Sequence, residues 1–181
     1  ATLRICGSRL IADEVKSGGL DLGVVGAQWN ESELSWTEIY TDHLSVVVNA
    51  QHSWAGKKNI SPAMLLKEPF ILRETASGTR KAIEHIIQSC GYKVAQLKEV
   101  AEMGSTSAVK EAVKAGLGVS ILSDMAVEEE VSCGLLVRIK IKELVMTRPF
   151  YLIRRKNREL SPVATVFLNY FKKWVAEKHN R

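Results

Sequence analysis

The fold class follows from one stretch of the chain, FILRETASGTR at residues 70–80. Its first three residues are bulky and apolar, which is typical of a buried β-strand. Ser77 then suits the N-cap of a helix, and the apolar residues that follow repeat at helical spacing, as at Ala82, Ile83 and Ile86. A strand that leads through a short polar loop into a helix is the repeating unit of an α/β fold.

The same alternation continues toward both ends of the chain. Ser61-Pro62 fits an N-cap followed by proline at the first helical position, and Gly116 is placed to end another helix. The sequence therefore predicts an α/β protein. The predicted strands are 3–6, 20–26, 36–40, 44–48, 70–72, 98–103, 118–122, 135–137 and 149–153, and the predicted helices are 8–17, 62–66, 82–90, 109–115, 124–130 and a long one from 162.

These elements group into two lobes. Residues 1–48 are predicted to form the first part of lobe one, residues 49–148 lobe two, and residues 149–181 a return to lobe one with a C-terminal helix. That helix carries an apolar face at Val163, Phe167, Tyr170 and Trp174, which we expect the sheet of lobe one to cover. The strands at 44–48 and 149–153 would then be two crossover strands between the lobes.

A ligand site is expected beyond the carboxyl ends of the strands, where helix N-termini present free N–H groups and partial positive charge. The loops at these positions are rich in glycine and hydroxyl side chains, which suit a small polar or anionic ligand. Each serine among them is by itself also explained as an ordinary helix cap. The candidate effector-binding residues are Gly26, Ser77, Gly78, Thr79, Arg80, Gly104, Ser105 and Ser123.

No catalytic constellation is visible in the sequence. His43, His52, His85 and His179 are scattered, so no nucleophile and base can be paired. The segment Gly116-Leu117-Gly118 has two glycines of a dinucleotide fingerprint, but it joins a helix to a strand, which is the opposite polarity to a phosphate-binding turn. The sequence predicts a binding protein that is not an enzyme and has no cofactor and no metal.

Charge and cysteine content indicate the cellular compartment and the kinds of partner that the protein has. The net charge of +5 comes from the C-terminal part, where residues 138–181 hold 12 basic and 3 acidic side chains. The basic run at residues 154–158 has no interleaved aromatic residue, so a solvated loop is favoured over a nucleic-acid contact. The chain has three cysteines, at Cys6, Cys90 and Cys133, so they cannot all form disulfides with one another. Two of them, Cys6 and Cys90, are predicted to lie on apolar faces. No apolar stretch of the sequence is long enough to span a membrane. Together these features favour the cytoplasm and no membrane association.

Three segments closely resemble the effector-binding domain of LysR-type transcriptional regulators. They are VKSGGLDLGVV at residues 15–25 with Ser8-Arg9 before it, FILRETASGTR at residues 70–80, and VKAGLGVSIL at residues 113–122. The resemblance extends from about Ala1 to Trp174. It implies a two-subdomain, periplasmic-binding-protein-like fold with two crossover strands, in which a metabolite binds between the lobes.

The resemblance also implies binding partners, an oligomeric state and a cellular compartment. Such proteins are bacterial, cytoplasmic regulators that form homodimers, and tetramers at full length, and that bind DNA only through an N-terminal winged helix-turn-helix, which we expect to lie outside this chain. The first βα unit of lobe one also has no counterpart here, so we expect weak effector binding. The identity of the effector, the target genes and the choice between activation and repression are left open.

Two rival classes share the two-lobed fold. A solute-binding component of a transport system would carry a secretory signal or a lipid-anchored cysteine, and neither is visible. An enzyme on the same fold would need a catalytic constellation. The solute-binding component is kept as the alternative function.

Overall fold

The computed structural model describes residues 2–179, and side chains through residue 175. The chain forms two compact units: unit 1 is Ala1–Thr41 with Pro149–Arg181, and unit 2 is Asp42–Arg148. The first border thus falls after Thr41, where the sequence placed it after residue 48. The reason is that residues 36–48, predicted as two strands, belong to one continuous strand that runs through the border.

Unit 1 is built from two helices, one whole strand and parts of two further strands. Helix α1 ends at Gly18, whose φ of +85° is accessible to glycine at low cost and closes the helix. Strand β1 pairs antiparallel with β8, and α1 packs its buried residues against the core that this pair forms. The elements are α1 (Ser8–Ser17), β1 (Leu22–Val25), the first part of β2 (Leu34–Asn49), the last part of β8 (Thr147–Arg155) and α6 (Pro162–His179).

Two expectations for unit 1 are wrong. Residues 3–6 form no strand, because a strand needs a hydrogen-bonded neighbour and these residues have none, so Ile5 is 92% exposed. The apolar face of α6 is likewise not covered by a sheet, and Tyr170 is 69% exposed. On this helix Phe167, Phe171 and Trp174 stack on one another instead, with centroid separations of 5.7 and 5.9 Å.

Unit 2 surrounds a sheet centred on the second half of β2. Strands β6 and β7 pair antiparallel with β2, β3 pairs parallel with β7, and β4 pairs parallel with β5. Successive β2 residues face opposite sides, so Val46 enters one core with α3 while Val47 enters the other with α4. The elements are β3 (Asn59–Ile60), α2 (Pro62–Leu65), β4 (Pro69–Arg73), α3 (Gly78–Ser89), β5 (Lys98–Met103), α4 (Thr106–Lys114), β6 (Ser120–Ser123), α5 (Glu128–Ser132) and β7 (Leu136–Ile141).

The predicted helix after Ser123 is the main correction in unit 2. Ser123 is the last residue of β6 and caps no helix. A 3-10 turn at Met125–Val127 follows it, and only then does the five-residue α5 begin. None of the described helices has the length and apolar character needed to cross a membrane.

Candidate functional site

Hydroxyl side chains collect where two parallel strands of unit 2 end. Because Arg73 of β4 pairs with Met103 of β5, the loops after both strands lie at the same edge. Ser77 accepts a hydrogen bond from the Thr79 N–H at 3.1 Å, and Ser105 accepts one from the Ala108 N–H at 3.1 Å. Both serines therefore cap their helices. A hydroxyl that accepts one hydrogen bond keeps its own O–H hydrogen to donate to a ligand.

Arg73 ties these two loops together. Its Nε and Nη2 atoms donate to the two carboxylate oxygens of Glu74 at 2.7 and 2.8 Å, a bidentate pair. Its Nη1 atom donates to Thr106 Oγ1 at 2.6 Å, in the first turn of α4. The end of β4 is thereby fixed to the start of α4.

A second network joins Thr79 to Ser123 through two charged residues. Arg148 donates from Nη1 to Thr79 Oγ1 at 2.8 Å, and its Nε and Nη2 atoms contact Asp42 Oδ2 at 3.0 and 2.9 Å. Ser123 donates to the other Asp42 oxygen at 2.8 Å. The Asp42 side chain is 1% exposed and that of Arg148 11%. These four residues form a buried chain of hydrogen bonds from α3 to the end of β6.

Two arginines contribute to the electrostatics at this edge. Burial lowers the pKa of the Arg148 guanidinium, the neighbouring Arg73 cation acts in the same direction, and Asp42 opposes both. An arginine remains charged in a protein despite such a shift. Each guanidinium is paired with a carboxylate, Arg73 with Glu74 and Arg148 with Asp42, so the positive potential available to an anion here is that of the N-termini of α3 and α4.

The remaining predicted site residues have different surroundings. Gly78 is buried in the first turn of α3. Arg80 contacts Glu84 at 3.0 Å and Glu102 at 3.7 Å, so its charge is already balanced by acidic neighbours. A methyl group added at Gly104 would meet no atom within 4 Å, so space does not require glycine there. Gly26 belongs to unit 1, where its N–H donates to Ser8 Oγ at 3.2 Å.

The sequence-based list of candidates omitted Asp42, Arg73 and Arg148. Arg73 stands within the stretch that decides the fold, but a charged residue at a strand end carries no local signal of its partner. Asp42 and Arg148 are 106 positions apart, so only the pairing of distant strands brings them together. In the sequence, Asp42 is only an acidic residue before a β-branched run, and Arg148 is only an arginine before a proline. Neither pattern indicates that the two side chains form a pair.

The cysteines correct a further expectation. Cys6, predicted on an apolar face, is exposed, and so is Cys133. Cys90 is half-buried, and this burial raises the pKa of its thiol, which lowers its reactivity at neutral pH. All three are free thiols. Among the described side chains, no group of three or more histidine, cysteine, aspartate or glutamate residues is arranged to hold a metal ion.

Known proteins match this fold over nearly the whole chain. The regulatory domain of CcmR from Synechocystis PCC6803, solved in complex with 2-PG, superposes with a TM-score of 0.85 at 28% identity, covering 96% of this chain and 82% of that one. The effector-binding domain of QuiR, solved with shikimate, superposes with a TM-score of 0.83 at 20% identity, covering 94% and 79%. The fold is therefore the mixed α/β, periplasmic-binding-protein-like fold of LysR effector-binding domains.

Sequence relatives and a family model give the same assignment. The RuBisCO operon transcriptional regulator of Allochromatium vinosum is 32% identical over 91% of this chain and 54% of its own length. The transcriptional activator CmpR of Synechocystis is 31% identical over 93% and 55%. The chain thus spans about half the length of these curated relatives. The model of the LysR substrate binding domain matches residues 2–176, and the chain belongs to that family.

Proposed function

We propose that this chain is the sensing domain of a LysR-type transcriptional regulator and that it binds a small polar or anionic metabolite at the strand ends of unit 2. The observation that carries the proposal is the buried chain Thr79–Arg148–Asp42–Ser123 beside the caps of α3 and α4. It places hydroxyl groups and an ion-paired guanidinium beside two helix N-termini at one edge.

The ligand class follows from this chemistry. Carboxylate and phosphate groups accept several hydrogen bonds at once, and they gain from partial positive charge at a helix N-terminus. The CcmR regulatory domain was solved with 2-PG, which supports a small ligand for a domain of this family. Arg148 and the Ser77 and Thr79 hydroxyls would contact the anionic group, and the Ser105 hydroxyl a second polar group.

The names of two relatives support a regulatory role for the full-length protein. The two curated relatives described above are named as transcriptional regulators, and this chain spans about half of their length. We therefore place a winged helix-turn-helix outside this chain as the DNA-binding element. The full-length protein would act in the cytoplasm, as a homodimer or a tetramer, without catalysis and without a cofactor.

Ligand binding is tested with a panel of small carboxylates and phosphate esters by thermal shift, followed by calorimetry on hits. Ser77→Ala removes a hydroxyl at the proposed site and should weaken a genuine hit at least tenfold. Ser89→Ala is the matched control, because Ser89 lies at the exposed far end of the same helix and its hydroxyl donates to the His85 carbonyl at 2.9 Å. Equal affinity in both variants would contradict the proposed site.

The transport alternative is separated from regulation by a DNA readout. If the chain is a sensing domain, the same ligand should change the affinity or the footprint of the full-length protein on its promoter DNA. A full-length protein that binds the ligand tightly, shows no specific DNA binding and is exported would favour the solute-binding component.

A further inference from the structure

Strand β1 of unit 1 has one unpaired edge. On one side it pairs with β8, from Leu22 opposite Arg154 to Val25 opposite Tyr151. On its other side, no strand within residues 2–179 pairs with it. Natural proteins usually protect such an edge with a charged residue or a proline, because an open edge is a template for pairing with another chain. The four residues of β1 include no charge and no proline, so this edge is unprotected.

Residues 2–6 form a segment of unit 1 that lacks a partner. No backbone group of this segment takes part in a described hydrogen bond. Leu3 is 87% exposed and Ile5 is 92% exposed. The two large apolar residues alternate with Thr2, Arg4 and Cys6, which is the pattern of a β-strand. The segment therefore has the sequence of a strand but no neighbouring strand to pair with.

Residues 2–6 and β1 line the same groove, which has a volume of about 280 Å³. Ile11 of α1, Leu152 of β8 and Phe167 of α6 also line it, so apolar side chains prevail in its surface. Val24 of β1 is 43% exposed there, and Phe167 is 48% exposed. Because backbone groups of both β1 and residues 2–6 are unpaired, a strand in this groove could form hydrogen bonds with each of them. The groove thus suits one additional β-strand with apolar side chains.

We propose that two copies of this chain exchange residues 2–6, and that each copy inserts this segment into the groove of the other. The chain itself indicates the occupant, since it carries both an unpaired segment with a strand pattern and an unpaired strand edge. Five residues extend over roughly 17 Å as a strand, which is enough to pair with all four residues of β1. This dimer does not depend on the ligand site in unit 2.

The exchange produces one continuous sheet across the two copies. Its strands follow in the order β1 of the first copy, residues 2–6 of the second, residues 2–6 of the first, and β1 of the second. Both grooves are then filled by the same contact, related by a twofold axis. Such an arrangement closes on itself, so it gives a dimer and not a filament.

The central pair of strands has one register in which all residues of the segment take part. The two segments run antiparallel about the twofold axis, so Arg4 lies on the axis and Leu3 lies opposite Ile5 of the other copy. Two apolar side chains that face each other across neighbouring strands stabilise the pair. The two Arg4 side chains come close together, but each is ion-paired with Glu14 of α1, so the repulsion between them is reduced.

The association is tested by sedimentation equilibrium of the whole chain over a range of concentrations. We expect the mass to rise from that of the monomer to twice that value. Ile5→Lys should raise the dissociation constant at least tenfold, since a buried ammonium group would lose its hydration. Val145→Lys is the matched control, because Val145 is a similarly exposed aliphatic residue of unit 2, at 81%. Neither variant should change the thermal unfolding of the monomer, because both residues are exposed in it.

The register is tested by a disulfide between the copies. Thr2 is expected to lie opposite Cys6 of the second copy, so T2C should bring two sulfur atoms within bonding distance. Within one copy the same two positions are roughly 13 Å apart along a strand, which excludes a bond between them. In a Cys133→Ser background, oxidation of T2C should give a covalent dimer on nonreducing gels. The chain with the native Thr2 should give none, because the two Cys6 residues lie at opposite ends of the paired segments.

Three results would overturn the proposal. The first is a chain that remains monomeric at every concentration, which would mean that residues 2–6 do not pair with a second copy. The second is a dimer that Ile5→Lys and Val145→Lys weaken to the same extent, because its interface would then lie elsewhere. The third is a T2C chain that forms no covalent dimer on oxidation.

Discussion

Asp42 and Arg148 are the first and last residues of unit 2, and their ion pair is buried at the point where the chain enters and leaves that unit. Removing one partner of a buried pair leaves a charge without compensation, which costs about 3–5 kcal/mol. We therefore expect Asp42→Asn to lower the free energy of unfolding by about 3 kcal/mol. Urea unfolding followed by circular dichroism measures this.

Two comparisons make that measurement specific. Asp21→Asn alters a partly exposed carboxylate, 3.8 Å from Arg158, and should cost less than about 1 kcal/mol. The double variant D42L/R148M removes both charges and should be more stable than Asp42→Asn alone, because apolar replacement of a buried pair is often neutral. A double variant that is less stable than the single one would show that the hydrogen bonds to Ser123 and Thr79 dominate over the charge.

Glu130 gives unit 2 a dependence on pH. A hydrogen bond from Lys110 holds the pKa of this buried carboxyl below its usual value, and the Lys110 charge adds to the effect, against the cost of burial. A carboxyl whose pKa is depressed by folding stabilises the folded state above its unfolded pKa. That stability is lost as the pH falls from about 4 through the lower folded pKa.

The Glu130 contribution is measured by unfolding at pH 7 and pH 3. We expect Lys110→Met to destabilise the protein at pH 7, where Glu130 is ionised, and to have a smaller effect at pH 3, because the stabilisation from a carboxyl with a lowered pKa declines as the pH falls. An equal effect at both pH values would assign the role of Lys110 to packing of its aliphatic chain.

At the scale of elements, the predictions held where a local signal sets a boundary. Helix α1 begins and ends where the sequence placed it, because Gly18 provides the left-handed conformation that closes it. The Ser61-Pro62 pair likewise marks the start of α2. The prediction failed at Ser123, because the local sequence around a serine at a strand end is the same whether that serine caps a helix or donates a hydrogen bond to a distant carboxylate. It failed again at residues 3–6, where strand formation depends on a partner and not on local preference.

At the candidate site, too, local features could be predicted from the sequence and long-range contacts could not. The caps at Ser77 and Ser105 were predictable, since cap, loop and helix are adjacent in the chain. The partners of Arg148 and Asp42 were not, because a contact across 106 positions is fixed by the sheet order. Whether these residues bind an effector stays a prediction, which the Ser77→Ala experiment tests.

A close backbone approach fixes the start of strand β6. A Cβ atom at Gly118 would stand 2.5 Å from the Pro69 carbonyl oxygen, a backbone atom that cannot turn aside. The Val119 N–H donates to that same carbonyl at 2.8 Å, so the two segments cannot separate without losing a hydrogen bond. We expect Gly118→Ala to cost about 1–3 kcal/mol by overpacking.

Gly56→Ala is the matched control for this steric effect. A Cβ at Gly56 meets no atom within 4 Å and its φ is not in the left-handed region, so the variant should change the free energy of unfolding little. Both variants are compared by urea unfolding. Equal stability would mean that β4 and β6 shift apart freely.

At the scale of the whole molecule, the two units differ in how much apolar surface they bury. Among the described residues, unit 2 holds clusters of 17 and 7 buried hydrophobic residues, whereas the unit 1 cluster has six. Unit 1 is also assembled from two segments distant in the chain, and it leaves apolar side chains of α6 exposed. Since burial of apolar surface is the main favourable term in folding, unit 1 should be the less stable of the two.

Native-state hydrogen exchange measures this difference directly, because amides in a less stable unit open at a lower free energy. The amides of β1 should exchange faster than those of β4 and β6. Val15→Ala removes buried methyl groups from the unit 1 core and should accelerate exchange in α1 and β1, while leaving β4 unchanged. Acceleration of the same size in β4 would show that the two units open together. The chain would then have one free energy of unfolding, and not a separate one for each unit.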